Sequence, residues 1–232
     1  MTAPYIVGLD LGQSQDFSAL VIVEQTLVPP AQPLYAVRWL HRWELGTPYP
    51  TILRSVEATL ARPPLAGRSE LIVDHTGCGR PIADQLRQAG MTLIAVSLHG
   101  GDTVSHVGAN FRTPKRDLVA AVQLTLQQQR LQFAATLPLT AVLTQELLSF
   151  RVRIDPATAH DSYSAWRERD HDDLVLALAL AVWWAEYQAR DRVPDISLAT
   201  LLDMGRPSLV KSEIMDSVRR RWDVNHDEFD EY

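Results

Sequence analysis

The run Ile6-Val7-Gly8-Leu9 closes on Asp10, Leu11 and Gly12. A short apolar run bounded by turn residues reads as a strand buried on both faces. A carboxylate at its end is costly to take out of water unless something cationic meets it, which makes Asp10 the first candidate metal ligand. Leu71-Ile72-Val73 ends the same way in Asp74, and His75-Thr76-Gly77-Cys78-Gly79 then turns the chain. His171-Asp172-Asp173 stands directly before Leu174 to Ala185, a segment apolar all the way round a helix and so expected in the core. Acids at a helix start serve the dipole and the cap, so one of this pair needs no functional explanation. Two strand-end acids together with a helix-start pair do.

Composition narrows the class. A chain of 232 residues with 46% hydrophobic content can bury one large core, or one core and a small appendage. The formal charge of -6 and pI near 5.6 argue against gripping nucleic acid by bulk electrostatics, so DNA contact must be local or helped by a partner. One cysteine excludes a disulfide framework and a cysteine zinc site, and suits a reducing, cytoplasmic setting. Met1-Thr2-Ala3-Pro4 carries no signal-peptide pattern, and Leu174 to Ala185 is too short to cross a bilayer.

Three strands come first: the Asp10 strand, Ser18 to Val23 after Asp16, and Leu34 to Trp43 after the turn Val28-Pro29-Pro30-Ala31-Gln32-Pro33. Tyr35, Val37, Trp39, His41 and Trp43 are expected on one face of the third strand. Short connections make this an antiparallel meander. The period then changes. Tyr49, Ile52, Leu53, Val56 and Leu60 fall at helical spacing before Arg62-Pro63-Pro64, and the Asp74 strand, a helix from near Pro81, and Thr92 to Val96 form a βαβ unit. Leu98 to Asn110 reads as a glycine-rich loop. Thr113-Pro114 reads as an N-cap with proline in the first helical position, and Pro138 opens a helix with Leu139, Val142, Leu143 and Leu147 on one face. Arg151-Val152-Arg153-Ile154-Asp155 alternates like a strand of a hairpin, and a core helix runs from about Asp172 to about Gln188. These readings give a main domain over 1–190, with 191–232 a helical appendage and acidic tail.

Gly8-Leu9-Asp10 with Asp16, Val73-Asp74-His75-Thr76-Gly77-Cys78-Gly79, Lys115, Leu143 with Glu146-Leu147 and Phe150, and His171-Asp172-Asp173 with its apolar helix occur in a telling order. Over Tyr5 to Glu186 the sequence resembles the C-terminal nuclease domain of phage large terminase subunits. The resemblance implies an RNase H-like α/β fold, with a central mixed sheet of an antiparallel three-strand meander followed by parallel strands, flanked by helices. It also implies a metal-dependent endonuclease that cuts concatemeric viral DNA during packaging. Its partners would be double-stranded DNA, an ATPase motor, a small terminase subunit and a portal. No G-x-x-x-x-G-K-[ST] loop occurs, so the motor is expected as a separate chain or an excised part.

The residues suit that chemistry. Phosphodiester hydrolysis needs a deprotonated water and charge neutralisation on both attacking and leaving oxygens; two Mg2+ or Mn2+ ions about 4 Å apart supply both, and such hard cations take carboxylate oxygens. On the resemblance Asp10 bridges the ions, with Asp74 and one of Asp172 or Asp173 completing the two sites. Successive helix residues point about 100° apart, so spacing does not choose between them; the resembling families place the ligand late in the motif, which favours Asp173. Asp16 is a further metal candidate, though it serves equally as a cap or turn residue. Lys115 with Arg112 and Arg116, and Arg151 with Arg153, are candidate phosphate contacts, and His171 is a candidate assistant to a metal-bound water. His75 reads as a turn residue, Cys78 as a small buried side chain, and Trp183 and Trp184 as core packing. A junction resolvase of the RuvC kind and a non-catalytic docking module are the alternatives. An actin-like or sugar-kinase ATPase shares Gly8-Leu9-Asp10-Leu11-Gly12 but needs a second lobe for which this sequence has neither room nor motif.

Overall fold

The computed structural model describes residues 3–12, 16–27, 32–77, 79–149 and 172–190. In chain order the elements are β1 (Tyr5–Asp10), β2 (Ala19–Thr26), β3 (Leu34–Arg42), α1 (Tyr49–Leu60), β4 (Ser69–Asp74), α2 (Gly79–Gln88), β5 (Leu93–His99), β6 (Ser105–Val107), β7 (Asn110–Pro114), α3 (Lys115–Gln127), β8 (Leu131–Phe133), α4 (Thr140–Ser149) and α5 (Asp173–Arg190). All eight strands form one sheet in the order β6-β7-β5-β4-β1-β2-β3-β8. β1 lies near its middle, antiparallel to β2 and parallel to β4, so both neighbours and both faces exclude water and every residue of β1 is buried. The meander β1-β2-β3 and the parallel strands β4, β5 and β7 are the mixed α/β arrangement expected of the sequence. The chain packs as two units, Met1–Glu186 and Tyr187–Tyr232, and the sheet belongs wholly to the first. No helix among the described residues is long and apolar enough to cross a membrane.

The structure departs from the sequence expectations in five places. Leu98 to Asn110 is not one loop: β5 runs to His99, and β6 and β7 add an antiparallel pair whose turn holds Gly108 at φ 57°. β8, three residues long, adds an unexpected parallel partner for β3. Thr113 ends up within β7, Pro114 is the N-cap of α3, and Lys115 is its first residue. On α4 the buried side chains are Thr140, Leu143 and Glu146, while Leu139 precedes the helix at φ 65°.

The fifth departure is in β3. The β2–β3 register passes from Ile22–Trp39 to Val23–Val37, so Arg38 is an extra residue opposite that pair. Such a bulge reverses the alternation of side chains beyond it. Tyr35 and Val37 are buried before it and Leu40 after it, so Tyr35 and Val37 do not share a face with Trp39, His41 and Trp43. Trp39 stacks on His41 with centroids 5.1 Å apart, and His41 meets Trp43 edge-on at 4.7 Å.

α5 lies against β1 at backbone distance. A Cβ added to Gly8 would collide with the carbonyl oxygen of Ala177 and crowd the Ala181 nitrogen. The direction comes from a second contact: Trp184 Nε1 donates to Glu70 Oε2 at 2.6 Å, and Glu70 pairs with Ile6, upstream of Gly8. The helix therefore runs antiparallel to β1, with its N-terminus over the end of that strand. Gly8→Ala is expected to cost about 3 kcal/mol, the upper range for overpacking, because the obstacle is helix backbone that cannot rotate aside. Urea denaturation of the variant beside wild type measures it; an unchanged midpoint would show that α5 does not sit this close.

Candidate functional site

The site grows out of strand register. Leu9 pairs with Val73, so Asp10 and Asp74, one residue further on, end adjacent parallel strands side by side. Residues paired across a sheet point to one face, and Gly8, two residues before Asp10, puts that face against α5. Asp10 also pairs with Ala19, and Ala19 with Arg42, so Arg42, Ala19, Asp10 and Asp74 form a row across the sheet on the side α5 covers. One helical turn back from Ala177 stands Asp173, over the end of that row. Asp10 is 7% exposed, Asp74 3%, Asp173 3% and Glu146 6%. Four acids are thus held out of water at the C-terminal edge of the parallel strands, the edge where ligands bind in open α/β sheets.

Each acid is held differently. Asp74 Oδ1 accepts the Thr76 N–H at 2.7 Å, and Thr76 Oγ1 accepts the Leu98 N–H at 2.9 Å, which ties the turn after β4 to β5. Gly79 lets α2 start against this turn, since a Cβ there would collide with the Asp74 carbonyl oxygen. After Asp10, the Gly12 N–H donates to Ser18 Oγ at 3.1 Å and the Tyr49 hydroxyl to the Gly12 carbonyl at 2.8 Å. Asp173 Oδ2 accepts from Arg42 Nη2 at 3.0 Å, and the same nitrogen donates to Glu146 Oε1. Glu146 Oε2 accepts the Val175 N–H at 2.9 Å, a donor of the first turn of α5. The Asp172 carbonyl accepts the Leu176 N–H, so Asp172 is the half-buried residue at the helix start and Asp173 the fully buried one.

Arg42 was not legible as a site residue, and Glu146 was legible only as part of a motif. Counted without the bulge, Arg42 lies seven residues from Tyr35 and should face away from it. Both face α5, because Tyr35 donates to Glu186 at 2.5 Å and Arg42 to Asp173. Burial pushes the Glu146 carboxyl up to about 7; the Asp173 and Asp172 charges add to the rise, while the Val175 N–H and Arg42 oppose it. Burial likewise lowers the His75 pKa, with Arg80 and Arg87 adding to the effect. His75 comes directly after Asp74 and points to the other face, where its Nδ1 lies 3.2 Å from Ser97 Oγ.

Asp16 is half-buried at a bend after Gly12. Lys115 is 8% exposed at the start of α3. Arg112 is exposed on β7, on the face opposite Phe111, whose ring packs on Trp183 and Trp184 of α5. Arg116 is exposed and pairs with Asp102 at 2.6 Å. Arg151, Arg153, His171, Phe150, Cys78 and residues 191–232 lie outside the described residues.

No protein-family model and no curated protein matches the sequence. Solved structures do match. The large terminase nuclease of thermophilic phage G20c has 21% identity and a TM-score of 0.51 over 76% of this chain and 80% of its own. The nuclease domain of the large terminase subunit of bacterial virus Sf6, solved with manganese and beta-thujaplicinol, has 12% identity and a TM-score of 0.54 over 78% and 88%. The fold is that of phage large-terminase nucleases. The HK97 bacteriophage large terminase matches at 15% identity and a TM-score of 0.51 over 79% of this chain, which spans 40% of that longer protein.

Among the described residues, no three His, Cys, Asp or Glu side chains stand close enough together to hold a metal ion. The donor set nevertheless suits a hard divalent cation: carboxylate oxygens, two from adjacent strand ends on one face and one from the helix above them. Glu146 supplies a pH test. Its folded pKa is raised from 4.5 to about 7, so the folded state holds a proton that the unfolded state has lost; stability is full below about 4.5 and falls as pH rises through about 7. Glu146→Gln is expected to remove a loss of roughly 3 kcal/mol across that window. Urea melts of both proteins in EDTA across the range measure it; parallel pH profiles would contradict the shift.

Proposed function

We propose that the chain is a divalent-metal-dependent DNA endonuclease of the viral packaging type, cutting concatemeric double-stranded DNA with little sequence specificity. The observation that carries this reading is the pairing of Asp10 and Asp74, buried side by side on one face with Asp172 and Asp173 at the N-terminus of the helix lying over them. The terminase-nuclease fold supports it, as does the manganese in the solved Sf6 domain. A binding module has no need of so many carboxylates at one strand edge.

Asp10, Asp74 and Asp173 would hold Mg2+ or Mn2+, two ions in all, with Asp172 and Asp16 as neighbouring oxygen donors. When bound, the ions supply an acidified water and positive charge for the oxygens of the scissile phosphate. The protein's own part is to fix donor geometry: the β-ladder sets Asp10 against Asp74, the Thr76 N–H orients Asp74, and Arg42 meets Asp173. Lys115, Arg112 and Arg116, with Arg151 and Arg153, would meet the DNA backbone and His171 would assist at the water. The formal charge of -6 predicts weak intrinsic affinity for DNA and dependence on partners, namely a packaging motor, a small terminase subunit and a portal, in the host cytoplasm. Residues 1–190 would be the nuclease and 191–232 an appendage.

Supercoiled plasmid incubated with Mn2+, Mg2+ or EDTA tests the reading. Nicking and linearisation are expected with either metal and not with EDTA, and Asp10→Asn or Asp74→Asn should reduce the rate by at least about 100-fold while the variants melt as wild type does. Cleavage that survives in both variants, or none with any metal, would overturn it; the second result would favour a docking module.

A further inference from the structure

Arg42 reaches the carboxylates through a bulge and is then held from three sides. Its Nη2 donates to Asp173 Oδ2 at 3.0 Å and to Glu146 Oε1, and its guanidinium carbon lies 4.6 Å from the centre of the Phe17 ring. Glu146 uses its other oxygen on the Val175 N–H, two residues beyond Asp173. The bracket therefore closes on itself: β3 to Asp173 through Arg42, Arg42 to α4 through Glu146, and Glu146 back to the first turn of α5. A carboxylate gripped this way at one oxygen loses its freedom to rotate about χ1 and χ2. The 14% exposure of the Arg42 side chain and 5% exposure of those of Glu146 and Asp173 shield these bonds from competing water.

We infer that Arg42, anchored by Glu146, is a positioning residue that fixes the Asp173 carboxylate at the start of α5, above the Asp10–Asp74 edge, and thereby sets the affinity with which these carboxylates take a divalent cation. The inference rests on the metal-binding part of the proposed function. Hydrogen-bonding partners behind a metal ligand fix its orientation, and losing one typically costs about 10–100-fold in metal affinity.

The same strand and helix carry an internal control. At the far end of α5, Arg130 donates to both oxygens of Glu186 at 2.7 and 2.8 Å, and Tyr35 of β3 donates to Oε1. Cutting that pair weakens the hold on α5 without touching Asp173.

Isothermal titration of the full chain with Mn2+ alone, without DNA, separates the outcomes. Wild type should bind and Asp10→Asn should not. Arg42→Met should bind about 10–100-fold more weakly, and Arg42→Lys, which restores a donor and a charge, should recover part of the loss. Arg130→Met should melt earlier in EDTA yet keep wild-type Mn2+ affinity. Should Arg42→Met fail to fold, Glu146→Gln, which loosens the anchor and keeps the shape, is expected to weaken Mn2+ binding in the same direction. Unchanged or tighter binding in the Arg42 or Glu146 variant, or equal weakening in Arg130→Met, overturns the positioning role while the metal site stands. No binding by wild type, or wild-type binding by Asp10→Asn, removes the metal reading itself and this inference with it.

Discussion

The closeness of α5 to β1 is the constraint on which the site depends. Gly8 leaves no side chain between the strand and the helix, so the Ala177 carbonyl lies where a Cβ would be. Every residue of α5 from Asp173 to Ala185 is buried, and nearly all are apolar. Apolar contact is non-directional, and a cylinder of Leu, Val and Ala has little to tell it how far to slide or turn. Polar bonds at its two ends remove that freedom. Asp173 is taken by Arg42 and Glu186 by Tyr35 and Arg130, thirteen residues and about 20 Å apart along the axis. Both clamps lie on the β3 side of the sheet, so the helix is located against the strand whose bulge turns Arg42 inward.

That arrangement concentrates negative charge where it locates the helix but adds little net stability to the fold. Removing one partner from a buried ion pair costs several kcal/mol, and an apolar replacement of the whole pair is often neutral or better. Arg42, Glu146 and Asp173 are therefore poorly explained as a device for stability. The raised pKa of Glu146 is the local sign of crowding: burial, aided by two neighbouring aspartates, outweighs an arginine and a backbone N–H that favour the charged form. Local strain of this kind, set in an otherwise consistent apolar core, is the pattern expected where function rather than folding chose the residues.

The parts of this site that could be seen in the sequence are those that local pattern encodes. Asp10 and Asp74 announce themselves because an apolar run ends in an acid, and α5 because twelve residues, Leu174 to Ala185, are apolar without a period. Arg42 was hidden by parity. The bulge at Arg38 leaves no glycine or proline as a marker, and alternation carried through it puts Arg42 on the wrong face. Glu146 was legible only through the motif it belongs to, since an acid on a short helix reads as solvated until tertiary packing buries it. The β6–β7 pair was missed because Gly100, Gly101 and Gly108 suggested a loop, when they occupy the turns flanking two short strands. β8 has three residues, too few for any period to show.

The acidic edge also bears on how such a protein would meet DNA under the proposed function. A phosphodiester brought to Asp10, Asp74 and Asp173 is repelled by them, and Arg42 offsets little of this because its charge is already shared between Asp173 and Glu146. Cations bound among the carboxylates reverse the sign of the local field. Cation and DNA therefore favour each other's binding, and the coupling is reciprocal. A net charge of -6 strengthens the argument, because no long-range attraction brings DNA to this surface. Lys115, buried at the start of α3, adds positive charge only locally. Under the proposed function, electrostatics alone would keep the edge from engaging DNA until it held cations or a partner delivered the strand, which would suit a nuclease with little sequence specificity.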